Sequence, residues 1–431
     1  MNEQIINTPC YFDGQTYHHN GPYRLLIQDA SLQSIQQQVP GSAALPDAFS
    51  QAETLDVEFL MPGLVEAHCH LFLDGGELDP RTRNTYLETP RENMLQTARG
   101  NIEASQAAGI TLIRDAGDRY GINHAVRSDA SANNGVTVIR SPGFALRRSN
   151  RYGGFLAREV TESKEIRSAI AEAAKSADDL KIILTDIVDF EVGAVTKPPQ
   201  FALGDLELMV SLAAESELKT FVHCSGVDGL EIAVEAGVDS IEHGYFMNEA
   251  ILDVMAAKDI SWVPTISPVH FQWARPDVAG WSERAVGNLR RILDDHLRHI
   301  EIAYRKGVRL LAGSDAGSHG VRHGTGLIDE LNFFLEAGLP MGEVLESATT
   351  RPRRAWGCRP ANIAPHNELD VVILGSSPFA NSEALRDVRM VLNRGSSASV
   401  KPSTPPSVPE QVGETGQNRA VRDSADTNTR T

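Results

Sequence analysis

From about residue 61 to about residue 350, short apolar runs alternate with longer amphipathic ones, and few folds accommodate that rhythm. The strand-like runs are the one ending at His68-Cys69-His70, then 111–116, 136–141, 180–186, 218–224, 240–243, 261–266 and 309–312. Helix-like segments at 93–108, 163–176, 206–215, 229–236, 248–258 and 284–306 separate them. Eight strands in alternation with helices predict an α/β chain folded as a TIM (β/α)8 barrel, which typically takes about 250 residues. An open doubly wound sheet fits less well, because no glycine-rich phosphate turn follows the first strand.

Outside that stretch the texture changes. Residues 1–60 contain short alternating segments such as Ile5-Ile6, Cys10-Tyr11-Phe12 and Tyr23-Arg24-Leu25-Leu26-Ile27, with 41–48 read as a loop. Strand-like text returns at 369–374 and 388–392. The expected organisation is a barrel over 61–354, framed by a small β-sandwich that both termini build from 1–60 and 355–395. Residues 396–431 hold no aromatic residue and are rich in Ser, Thr, Pro and Asn, so a disordered tail is expected there.

The net charge of −17 argues against nucleic acid or an anionic membrane as partner, since both call for basic surface. Cys10, Cys69, Cys224 and Cys358 show no C-x-x-C spacing, and no apolar run approaches the roughly 18 residues of a membrane span. Met1-Asn2-Glu3-Gln4 does not open a signal peptide. A cytoplasmic protein acting on a small molecule is the expectation, with homo-oligomerisation left open.

In a barrel, chemistry collects at the C-terminal strand ends. His68 and His70 alternate with Cys69 and so share one face of the first strand. Lys181 lies in strand four, His223 ends strand five, His243 ends strand six, and Asp315 follows strand eight. Four histidines and an aspartate reaching one barrel mouth point to metal.

The runs Pro62-Gly63-Leu64-Val65-Glu66-Ala67-His68-Cys69-His70, Lys181-Ile182-Ile183, Val222-His223, Glu242-His243-Gly244 and Gly313-Ser314-Asp315-Ala316-Gly317 resemble the amidohydrolase superfamily in order and spacing. Within it the chain is similar to the imidazolonepropionase-like group, which includes Xaa-Pro and Xaa-Arg dipeptidases. The resemblance implies two divalent ions, zinc fitting the donors best. One would take His68, His70, Lys181 and Asp315, the other Lys181, His223 and His243. A lysine in an apolar strand facing two cations is pushed toward the neutral amine, which carbon dioxide converts to a bridging carbamate. The implied reaction is hydrolysis of an amide, cyclic amide or dipeptide-like C–N bond by a metal-bridging hydroxide, with Asp315 shuttling the proton. Deaminases of the superfamily carry His-x-x-Glu on strand five, whereas Cys224-Ser225-Gly226 follows His223 here. A mononuclear imidazolonepropionase-type ring opener and a lactone or phosphotriester hydrolase are the alternatives. A non-catalytic scaffold is disfavoured, since none of the six ligands is missing. Residues 365–370 depart from the Gly-Lys-x-Ala-Asp turn of the relatives.

Several loop residues are candidates for substrate contact. Arg147, Arg148 and Arg151 precede Tyr152-Gly153-Gly154 and suit either a carboxylate clamp or a solvated loop. Arg151 and Tyr152, with His319 and His323 beyond Asp315, are the substrate-binding candidates. His270, Phe271, Trp273 and Trp281 suit a substrate wall or a packed lid. His296 and His299, on a charged helix, read as surface. His18, His19, His124 and His366 carry no spacing signal.

Overall fold

The computed structural model describes residues 3–40, 44–129, 136–393 and 396–399. Strands are numbered in chain order. β8 (Leu64–Cys69), β9 (Ile110–Asp115) and β10 (Val138–Arg140) form one parallel sheet in the order β10-β9-β8. β11 (Ala145–Arg147), β12 (Ala157–Glu159), β13 (Asp179–Ile183), β14 (Lys219–Cys224), β15 (Ser240–His243) and β16 (Ser261–Val263) form a second, in the order β12-β11-β13-β14-β15-β16. Every residue of β8, β9, β13 and β15 is buried. That is the pattern of parallel strands covered on both faces, and it explains their nearly unbroken apolar text.

The expected eighth strand at 309–312 does not form a ladder. Its segment touches its neighbours through isolated bridges, Leu310 to Trp262 and Ala316 to Cys69. Leu311 N donates to Trp262 O at 2.9 Å and Ala67 N to Ala312 O at 3.1 Å. On the opposite seam, Asp178 N donates to Ser141 O at 2.9 Å. The layout is α/β of the TIM-barrel type, with ladders broken at two seams rather than running round a closed ring. Close approach explains the first break: a Cβ at Gly313 would lie 2.8 Å from His68 N and 2.7 Å from Val263 Cγ1. Backbone that near a neighbouring strand has no room for a regular pleat.

The ends of the chain build two further sheets. One has the order β5 (Ser31–Gln37), β4 (Tyr23–Gln28), β1 (Glu3–Thr8), β6 (Glu53–Asp56). The other runs β19 (Ser396–Ser399), β18 (Val388–Asn393), β17 (Asp370–Leu374), β7 (Phe59–Pro62), β2 (Tyr11–Phe12), β3 (Tyr17–His18). Strands from both termini thus meet in one sheet, where Leu60 pairs with Ile373. Ile6, Leu25, Ile27, Leu60, Val371 and Ile373 share an apolar cluster. Buried Arg353 anchors this region to the base of β8, donating to Gly63 O at 3.0 Å, Thr111 Oγ1 at 2.8 Å and Asp370 Oδ2 at 2.5 Å. The expected tail begins as structure, because β19 pairs antiparallel with β18. The expectation for 400–431, and part of the loop expected at 41–48, lie outside the described residues.

His296 and His299 are not on the surface. The helix Glu283–Lys306, capped by Ser282 and ended by Gly307 at φ 77°, buries Leu289, Ile292, Leu293, His296, His299, Ile300 and Ala303. Spacings of three and four residues place both histidines on the apolar stripe. His296 stacks on Tyr245 at 4.2 Å and donates Nε2–H to Pro264 O at 3.0 Å. Burial holds its imidazole down to about 4. The native state therefore keeps His296 neutral while the unfolded chain takes up a proton below about 6.5. Stability from this residue is lost as pH falls from about 6.5 toward 4. His296→Gln should lose on the order of 2–3 kcal/mol less than wild type between pH 7 and 4.5, measured by urea denaturation. Ser397→Pro should lower Tm by breaking the pairing of β19 with β18, read by thermal denaturation.

Candidate metal centre

The floor of the site is set by how β8 meets the segment 313–317. Asp315 N donates to His68 O at 2.7 Å, and His70 N donates to Ala316 O at 2.8 Å. Glu66 ties the two together, accepting from Ser314 N at 2.9 Å, Ser314 Oγ at 2.6 Å and His68 N at 3.1 Å. Burial pushes its carboxyl up to about 7. These bonds bring Asp315 Oδ1 to 3.3 Å from His70 Nε2 and 3.7 Å from His68 Nε2. One ligand atom from each of the three residues lies within 4.8 Å of the others.

His68 has its tautomer chosen for it. Its Nδ1–H donates to Glu242 Oε2 at 2.5 Å, leaving the Nε2 lone pair free. Burial, reinforced by Lys181, holds its imidazole down to about 4. Burial alone would raise the Asp315 carboxyl, but the rings of His70 and His68 hold it below its ordinary value.

The register of β13, β14 and β15 supplies the other donors. Ile183 pairs with His223, and Cys224 with His243, so these histidines leave adjacent strands near one level. Lys181 pairs with Phe221, two residues below His223, or roughly 7 Å deeper along the strand. An extended lysine side chain spans that depth. Its Nζ lies 4.6 Å from the Phe221 ring centroid, and burial lowers its ammonium to about 8 although Glu242 opposes the shift. Ring centroids are 4.5 Å apart for His223 and His243, and 5.0 Å for His68 and His243. His243 Nδ1 lies 2.7 Å from Thr265 Oγ1, which orients its Nε2 as the free nitrogen. Burial pushes His223 down to about 3 and His243 well below the ordinary range.

Backbone strain marks the same positions. His243 (φ 66°), Thr265 (φ 49°) and Asp315 (φ 54°) are in the left-handed region. A non-glycine residue there costs on the order of 1–3 kcal/mol and persists where surrounding structure enforces it, commonly at functional sites.

Lys181 Nζ, His223 Nε2, His70 Nδ1 and Asp315 Oδ1 are buried polar atoms with no hydrogen-bond partner among the described residues. Leaving such atoms unmet costs about 1–3 kcal/mol each. Imidazole nitrogens and a carboxylate oxygen are donors that divalent transition metals take up, so this set fits a metal centre. A cavity of about 420 Å³ opens above it, walled by Tyr152, Phe155, Val188, Phe190, Val269 and Trp281, with Arg83, Ser318 and His319 among its polar lining.

The remaining candidates divide. Tyr152 lines the cavity with its ring centroid 5.2 Å from that of His223, and burial raises its phenol. His319 lines it too, donating Nε2–H to Leu78 O at 3.0 Å. His323 is buried beside His70 rather than in the cavity wall. The three arginines are engaged within the protein: Arg147 with Glu159, Arg148 with Asp205 at 2.6 Å, and Arg151 with Asp186 at 3.2 Å. Trp281 lines the cavity, while Trp273 lies under Arg290 at 5.0 Å. Sequence reasoning missed Glu66, Glu242, Arg114 and Thr265. The signal for the first three was a charged residue inside an otherwise apolar strand, which burial allows only with a partner.

The amidohydrolase family profile matches residues 59–397. The chain belongs to the amidohydrolase family. It is a hydrolase acting on carbon–nitrogen bonds, in a family that generally uses metal ions, and His68, His70 and Asp315 form its candidate metal site. It is 26% identical over 343 residues to an uncharacterized protein of Mycobacterium tuberculosis (strain ATCC 25618 / H37Rv), covering 79% of this chain and 85% of that one. It is 24% identical over 393 residues to ochratoxinase of Aspergillus niger, covering 82% and 78%. The crystal structure of A. niger ochratoxinase matches with a TM-score of 0.75 at 21% identity, over 92% of this chain and 96% of that one. A Xaa-Pro dipeptidase crystallised with methionine in its active site matches with a TM-score of 0.77 at 22% identity, over 92% and 100%. Among the described residues no helix of this amidohydrolase is long and apolar enough to cross a membrane.

Glu242 also accepts from Arg114 Nη2 at 2.9 Å, with both side chains buried. Glu242→Gln leaves the Arg114 guanidinium without its countercharge. Urea denaturation of the metal-free protein should show a loss of about 3–5 kcal/mol. A loss below about 1 kcal/mol, typical of exposed pairs, would contradict this account.

Proposed function

We propose that the chain is a binuclear metal-dependent amidohydrolase that cleaves an amide, cyclic amide or dipeptide-like C–N bond. The observation that carries this reading is the convergence of buried, unpartnered donor atoms on Lys181, His223 and Asp315 at the floor of one largely apolar cavity. In it, His68, His70, Lys181 and Asp315 would hold one divalent ion, and Lys181, His223 and His243 the other. Zinc suits these donors. When bound, such ions supply Lewis acidity and lower the pKa of water.

The chain's own residues do the rest. Glu242 and Thr265 keep the protons of His68 and His243 on Nδ1, so that both present Nε2. Lys181, whose burial favours the free amine, adds to carbon dioxide: its nitrogen forms a bond to the carbon, one proton leaves, and an N-carboxylate remains with two ligand oxygens. Asp315 takes the proton of the attacking water and delivers it to the leaving nitrogen. Phe155, Val188 and Phe190 give the cavity an apolar wall. Likeness to a protein named Xaa-Pro dipeptidase supports a dipeptide-like substrate. We also read the two parallel sheets as one (β/α)8 ring over 61–354, flanked by a β-sandwich from 1–60 and 355–395. The seam contacts at Ala67–Ala312 and Ser141–Asp178 support that reading.

One observation favours a single-ion enzyme: among the described residues, tight convergence of ligand atoms is confined to His68, His70 and Asp315. Elemental analysis separates the two readings. The binuclear enzyme should carry about two ions per chain. Lys181→Ala should lose metal and activity together, Lys181→Glu should regain part of the metal, and bicarbonate should speed reconstitution of wild type alone. One ion per fully active chain, with Lys181→Ala still active, would falsify the binuclear reading.

A further inference from the structure

Arg83 differs from the three arginines of the 147–151 loop. Arg147, Arg148 and Arg151 each face a carboxylate. Arg83 donates only to backbone carbonyls: Nη1 to Asp74 O at 2.5 Å and Glu77 O at 3.3 Å, and Nη2 to Gly317 O at 2.9 Å. Among the described residues no carboxylate oxygen pairs with it, and the Asp74 and Glu77 carboxylates act on it only through their field. A guanidinium has five N–H donors in a planar fork. Three such bonds leave Nε–H and one Nη2–H uncommitted, and the side chain lines the same cavity as Asp315 and His319.

The tether adds position to charge. Gly317 is two residues beyond Asp315, at φ 98°, where a Cβ would lie 2.6 Å from His70 O. The bond from Arg83 to Gly317 O therefore holds the guanidinium against the loop that presents Asp315 to the floor. The cavity's other side chains include Phe190, Val269, Trp281 and the exposed Ile187, which suit an apolar group. A half-buried cation with a free donor edge, set in a cavity with an apolar wall above a polar floor, matches a ligand that pairs an apolar body with one anionic end.

We propose that Arg83 is the substrate-carboxylate subsite, so that the enzyme selects N-acyl amino acids or dipeptides with a free carboxylate over their neutral counterparts. This rests on the cavity being the substrate site of the proposed hydrolase. The carboxylate accepts from Nε–H and Nη2–H of Arg83, while the acyl group lies against the apolar wall. Arg83 is a specificity-determining residue and takes no part in bond cleavage.

The test uses metal-loaded protein and two probes that resist cleavage, N-phenylsulfonylglycine and its carboxamide. Binding is followed through tryptophan fluorescence and calorimetry. Wild type should bind the acid roughly 10- to 100-fold more tightly than the carboxamide. Arg83→Gln should erase that preference, and Arg83→Lys should retain part of it, with both variants melting within a few degrees of wild type. Equal binding of the two probes by wild type, binding of neither, or a preference that survives in Arg83→Gln each overturns the proposal. Kinetics on N-acetyl-phenylalanine and its amide supply the second arm. If neither is hydrolysed while the Arg83-dependent acid preference persists, the subsite stands and the amidohydrolase reading of such substrates fails.

Discussion

The Glu242 carboxylate is the contact on which the floor of the site depends. From β15 it reaches Arg114 on β9, Ser240 on its own strand and His68 on β8, at 2.9, 2.7 and 2.5 Å. It therefore links the two parallel sheets across the interior, where ladder hydrogen bonds do not. Burial would raise its carboxyl, but Arg114 and His68 hold it down to about 2. Removing one member of so buried a set strands the others, which makes the arrangement obligatory rather than merely favourable.

Around that contact, backbone conformation does what side chains cannot. The chain turns left-handed at His243, Thr265 and Asp315, and it passes Gly313 so close to His68 that a methyl group would not fit. These departures fall at or beyond the ends of the strands, where the chain leaves the pleat beside the candidate metal ligands. The broken seam between β8 and the 309–316 segment is thus part of how Asp315 arrives beside His68 and His70. A regular eighth strand would follow the pleat and would not permit that approach.

Family membership names the class of bond that is broken, and the walls of the cavity limit the shape of the molecule that carries it. The strand ends supply a donor set shared across many chemistries, whereas the loops differ from protein to protein. Here the loops combine aromatic and aliphatic surface with few charges. The arginines nearest to hand in sequence are used to brace the protein itself, at Glu159, Asp205 and Asp186.

The sequence by itself determined the barrel-type alternation and the meeting of both termini in one sheet, and it pointed to His68, His70 and Asp315, which the structure brings together. Strand periodicity and burial are local properties, and donors at the ends of parallel strands reach one rim whatever the loops do. The helix Glu283–Lys306 was misjudged: its charged residues suggested a surface position for His296 and His299, although their three- and four-residue spacings place both on its apolar stripe. Only the tertiary structure decided which charges were spent. Arg114 finds Glu242 across 128 residues, Arg148 finds Asp205 across 57, and Arg83 finds Gly317 across 234. The energy of a buried charge is set by its partners and its desolvation, and neither is a property of the neighbouring residues in the chain.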